Sequence, residues 1–152
     1  MAGAGAITHD AADRILMVKP SYRNGTWKIP GGGLGGGEDP LRTARHEVKE
    51  ELGIDLAPGR LLVVVRVPEQ ADGRPPLVNH LFDGGLMSQG EAVNRFHLDR
   101  DELADWRLAT PAEWDTLLAP HMGRRLRACS RAPAGGSIVY LKHSFDPTRP
   151  EN

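Results

Sequence analysis

Glu47, Glu50 and Glu51 place three carboxylates within five consecutive residues. The segment carrying them reads as a helix. Asp39 is a good N-cap, Pro40 suits the first helical position and Gly53 suits the stop. Leu41, Ala44, Val48 and Leu52 recur at helical spacing and predict one apolar stripe. At about 100° per residue, the three glutamates fall within an arc of about 100° beside that stripe. Like charges at i,i+4, here Glu47 and Glu51, cost about 0.3 kcal/mol, and anions in the last turn oppose the helix dipole. A divalent cation would relieve both penalties, and hard oxygen ligands suit magnesium or manganese. From this cluster alone, a solvated acidic helix face stands as the other reading.

A glycine tract leads into that helix. Gly31 to Gly37 holds six glycines around Leu34, which predicts a loop whose backbone visits conformations closed to other residues. Gly31, Gly33 and Gly36 formally match a dinucleotide-binding fingerprint, but Pro30 interrupts the short extended piece ahead of it. No Gly-Lys-Ser/Thr follows, which excludes a Walker-type phosphate loop.

Taken together, Gly32, Glu38, Glu47-Val48, Glu50-Glu51 and Gly53-Ile54 resemble the Nudix box, G-x5-E-x7-R-E-U-x-E-E-x-G-U, with U a bulky aliphatic residue. Eight of its nine specified positions match over residues 32–54, and His46 stands where the family has arginine. The approach Trp27-Lys28-Ile29-Pro30-Gly31-Gly32 is similar to the family's as well.

The resemblance implies a hydrolase that uses Mg2+ or Mn2+ to cleave a nucleoside diphosphate linked to another group. Nucleoside triphosphates, ADP-ribose-like compounds and nucleotide sugars are all open as substrates. Carried over by position, Glu47 and Glu51 would be the main metal ligands, with Glu50 a third ligand or a water-holding neighbour. The Gly31 carbonyl would complete the inner shell, and Glu38 would tie the loop to the helix. Trp27, Gly32 and Gly33 are expected at the substrate. The family often adds a late acid, and Glu102 is the candidate, with Asp99, Asp101 and Asp105 as competitors. Leu108 departs from the tryptophan expected six residues after that acid. The alternative is a catalytically weak nucleotide-binding or regulatory module on the same fold.

The flanking elements must position these groups. Residues 5–9, 14–19, 61–67, 77–82 and 138–141 read as strands, and Phe96 and Leu98 suggest a further short one. Tyr22 to Gly25 is expected as a loop. Pro111 to Arg131 predicts a second helix broken near Pro120. This is an α/β pattern: an α/β/α sandwich with a mixed central sheet, occupying residues 1–152 as one domain. Tyr22, Trp27, Phe82 and Phe96 are the aromatic candidates for stacking on a base.

Lys and Arg total 19 against 20 Asp and Glu, so a strongly basic nucleic-acid binder is not expected. Arg124, Arg125, Arg127 and Arg131 are expected on a solvated helix face. His9, His80, His97, His121 and His143 are scattered and expected in surface or structural roles. The lone Cys129 has no disulfide or zinc partner in the sequence. No apolar run is long enough to span a bilayer, and the N-terminus lacks a secretory pattern. A cytoplasmic monomer or homodimer is expected, acting on a small nucleotide.

Overall fold

The computed structural model of the protein describes residues 1–22, 26–132 and 136–142. The expectations for Asn24, Gly25 and His143 lie outside the described residues. In chain order the elements are β1 (Ala2–His9), β2 (Ile15–Pro20), β3 (Gly31–Gly33), α1 (Pro40–Leu52), β4 (Leu61–Val67) and β5 (Leu77–Leu86). Then follow α2 (Gln89–Arg95), β6 (Leu103–Ala109), α3 (Pro111–Leu117), α4 (Pro120–Arg131) and β7 (Val139–Lys142).

The strands form one mixed sheet in the order β6-β2-β1-β5-β4-β7, and β3 pairs with β1 off that path. The β1–β5 and β4–β7 pairs are parallel and the rest antiparallel. Because β5 holds one edge of β1, β2 and β3 share the other. His9 pairs with Ile15 at one end, while Gly3 to Gly5 pair with Gly33 to Gly31 at the other.

Two-residue alternation assigns the faces. Ile15 and Met17 of β2 join the core under α3 and α4, with Trp114, Leu126 and Cys129. Leu16 and Val18 join the opposite core with Val48 and Leu52 of α1 and Ala92 of α2. The sheet is therefore covered on both faces, as an α/β/α sandwich requires. Helix α1 begins and ends as its sequence dictates. The Asp39 side chain accepts from the Arg42 amide, Pro40 opens the helix, and Gly53 closes it in the left-handed conformation at φ 71°.

Several expectations are corrected. Gly31 to Gly33 are a strand rather than loop, and Gly37 is the one tract glycine with a positive φ, at 80°. What Gly31 and Gly32 need is room. A Cβ on Gly31 would lie 2.5 Å from the Ala4 carbonyl oxygen, closer than packed atoms can approach. Leu41 is 43% exposed, so the buried stripe of α1 begins at Ala44. Phe96 caps α2 instead of lying in a short strand with Leu98; its ring meets Trp106 edge-on at 5.1 Å. Leu103 to Ala109, where the sequence suggests no strand, form β6. Arg125 is buried at 7% exposure, and Arg127 is paired with Asp115, so that arginine cluster is not simply a solvated face. The helix break at Pro120 stands as expected, between α3 and α4.

Candidate active site

Helix α1 lies against β1 and β3 with its last two turns facing the glycine strand. The approach is so close that a Cβ on Gly32 would sit 2.7 Å from the Glu47 carboxyl carbon. Glycine here admits the carboxylate. A cleft of about 270 Å³ opens at this contact, lined by Tyr22, Lys28, Gly31, Gly32 and Leu103 together with Glu47, Glu50, Glu51 and Glu102. All four glutamates expected to act are thus brought together. The loop after α2 positions Glu102: its amide donates to the Asp99 carbonyl and its carbonyl accepts from Ser21.

Glu51 is 3% exposed. Its Oε1 accepts from Lys28 Nζ at 2.8 Å, while its buried Oε2 accepts no hydrogen bond among the described residues. An orphaned buried carboxylate oxygen is costly, commonly ~1–3 kcal/mol or more when charged. Burial pushes the Glu51 carboxyl above its ordinary range; Lys28 opposes that shift, and the Glu47 and Glu102 charges add to it. Glu47 is raised too, first by burial and then by Glu50, against the opposing charges of Lys28 and His46. The pocket holds more negative charge than it neutralises.

These residues fit a divalent cation. The donors are hard oxygens, one is buried without a partner, and glycine provides the space beside Glu47. As placed, no three acidic, histidine or cysteine side chains among the described residues converge tightly enough to enclose an ion. The Lys28 ammonium stands among them, bonded to both Glu51 and the Gly31 carbonyl at 2.8 Å.

The supporting contacts are local. Glu38 Oε1 accepts from the Gly35 amide at 3.3 Å and the Thr43 hydroxyl at 3.2 Å, joining the tract to α1. His46 Nε2 lies 2.9 Å from Glu50 Oε1, with both side chains about half exposed. Arg45 is committed to Asp55 through two bonds of 2.6 and 2.7 Å, so it does not replace the missing box arginine.

On the other side of β3 lies a slot of about 280 Å³. Gly31, Gly32 and Gly33 form its floor, with Ala4, Leu77, Leu81 and Met122 among its apolar walls and Asn79 and Arg125 as polar groups. Sequence reasoning missed Lys28, Asn79 and Arg125. Lys28 adjoins a quoted motif, but nothing in its spacing shows where the ammonium goes. Trp27 lines neither cavity. It packs against the core beneath α3 and α4, with the Arg107 guanidinium 5.5 Å from its ring centre. Phe82 and Phe96 are also taken up in packing, which leaves Tyr22 as the aromatic candidate at the cleft. A third cavity near His9, Asp13 and Asp83 borders Cys129, but burial pushes that thiol up to about 12, so it offers almost no thiolate near neutral pH.

The family model described as NUDIX domain matches residues 1–129. The zebrafish (Danio rerio) protein named 8-oxo-dGDP phosphatase NUDT18 is 37% identical over 62 residues, spanning 40% of this chain and 19% of that protein. Nucleoside triphosphatase NudI of Salmonella arizonae is 30% identical over 95 residues, spanning 59% of this chain and 65% of that protein. The chain thus covers about a fifth and just under two thirds of these two relatives. Among solved structures, a MutT protein from Methanosarcina mazei Go1 superposes with a TM-score of 0.69, covering 86% of this chain and 93% of the other. At 19% identity that likeness is one of fold.

Proposed function

Because this chain belongs to the Nudix family, we propose that it hydrolyses the pyrophosphate bond of a small nucleotide, with nucleoside di- and triphosphates ahead of nucleotide sugars. One observation carries this reading: the glycine strand is shared. Gly31 and Gly32 line both the carboxylate cleft and the apolar slot. A nucleoside seated in the slot would send its phosphates across a strand with no side chains to obstruct them, toward the glutamates.

The division of labour follows from charge. The slot buries a flat, weakly polar group and offers Asn79 and Arg125 to its edge. Glu47, Glu51 and the Gly31 carbonyl would hold the cation, with Glu50 beside them. When bound, Mg2+ or Mn2+ screens the phosphate charge, polarises the phosphoryl oxygen and lowers the pKa of water. Glu102 lines the same cleft and is the candidate to accept the proton of the attacking water. Glu38 acts by positioning, since it joins the tract to α1.

The names of both sequence relatives refer to nucleoside di- or triphosphates, which supports that substrate class. All four glutamates expected to act are present at the cleft, which favours turnover over a binding-only module. Among the described residues no helix is long and apolar enough to cross a membrane. The test is phosphate release from a panel of nucleoside diphosphates, triphosphates and nucleotide sugars with magnesium, coupled to a phosphatase. Turnover highest on a nucleoside di- or triphosphate is expected; turnover on nucleotide sugars alone would overturn the ranking, and none on any compound would overturn the enzyme reading.

A further inference from the structure

Among the described residues that line the cleft, Lys28 is the one basic residue, facing four glutamates. Its root is fixed, because Lys28 and Val18 exchange both backbone hydrogen bonds, at 2.8 and 2.9 Å. Its side chain is 25% exposed and its ammonium sits 2.8 Å from both Glu51 Oε1 and the Gly31 carbonyl oxygen. Those two atoms are groups expected to hold a divalent cation. An ammonium and a metal ion cannot occupy one position between the same oxygens.

We propose that Lys28 is a built-in counter-ion that keeps the cation position in the metal-free protein and is displaced when Mg2+ or Mn2+ binds. This rests on the reading of Glu47 and Glu51 as the cation's holders. The geometry gives the exchange a direction. One ammonium neutralises only part of the charge of four carboxylates, and it leaves the buried Glu51 Oε2 without a partner. A dication supplies twice the charge and can take that oxygen. In the metal-free state the ammonium keeps Glu51 and the glycine strand together instead of letting the carboxylates spread apart. The cost is competition, since each binding event must break both Lys28 contacts. The side chain is long and rooted beside the cleft, so its displaced head stays near the path proposed for the phosphates.

The test needs no substrate. Calorimetric titration of the metal-free protein with Mn2+ is compared between wild type and Lys28→Met, which keeps the length and removes the charge. Lys28→Met should bind Mn2+ at least ~10-fold more tightly, as expected for removing a competing charge from a poorly solvated site. It should also melt at a lower temperature without metal and gain more from Mn2+ than wild type does. Unchanged or weaker Mn2+ binding by Lys28→Met, with wild type binding normally, overturns the counter-ion role and leaves the glutamate reading standing. No Mn2+ binding by wild type overturns both.

A second measurement uses the wild type alone, in case the variant does not fold. The chain has four lysines, Lys19, Lys28, Lys49 and Lys142. Acetylation by an amine-reactive ester, read by peptide mass spectrometry, should rise at Lys28 when Mn2+ is added and stay level at the other three. Equal or lower Lys28 labelling with Mn2+ means the ammonium remains in place, which overturns the displacement.

Discussion

Glycine acts at single positions here through the absence of a side chain, and Gly32 and Gly35 of the tract separate on that ground. A Cβ on Gly32 would press into the Glu47 carboxyl group at 2.7–2.9 Å, whereas one on Gly35 would meet only the end of the Glu38 side chain at 3.2 Å. Gly32→Val should therefore cut turnover by at least ~100-fold, since misplacing a reacting group by an ångström costs that much. Gly35→Ala should stay within ~3-fold of wild type, because the end of the Glu38 side chain needs to shift only slightly to make room. Steady-state kinetics on the two variants checks the contrast, and equal effects would reduce the tract to a linker. The same scale shows what the sequence could not disclose. The i,i+4 spacing of His46 and Glu50 made their contact legible, because helix geometry dictates it. The Lys28–Glu51 contact joins residues 23 apart in sequence and exists only because β2, β3 and α1 meet at one place.

Among the elements, α1 was the most legible because its boundaries are local chemistry. Asp39 caps it, Pro40 starts it and Gly53 ends it. The glycine strand was not legible, since glycine carries no strand propensity and Gly31 to Gly33 are held extended by pairing with β1. The region between β5 and β6 was misread for a similar reason. Phe96 and Leu98 look like strand residues, but both pack as side chains beside α2. The end of α1 matters for the site because it fixes Glu50 and Glu51. Gly53 combines a left-handed φ of 71° with a would-be Cβ 2.7 Å from the His97 carbonyl oxygen. Gly53→Ala should lower stability by about 2 kcal/mol, the sum of backbone strain and a displaced neighbour. Urea denaturation measures it, and a midpoint equal to wild type would mean the helix end yields freely.

For the whole molecule, the sandwich brings together groups that the chain keeps far apart. Lys28 comes from the segment bridged to β2, Glu47 and Glu51 from α1, and Glu102 from the turn before β6. Strands lying before and after two helices made a sheet covered on both faces readable, and the motif made the glutamates readable. The apolar slot was not, because its walls come from β1, β5 and α4, and its Arg125 lies among arginines that look solvated in sequence. Burial of negative charge beyond what Lys28 offsets is the feature that binds fold to chemistry, and Glu51 is its most buried member. The decisive measurement is turnover of Glu51→Gln on the best nucleotide at saturating magnesium, with circular dichroism to confirm the fold. Gln keeps the shape and removes the charge, so kcat should fall at least ~1000-fold, as when an essential charged group is lost, with the spectrum unchanged. Near-normal turnover in a folded Glu51→Gln would contradict a cation site built on this glutamate.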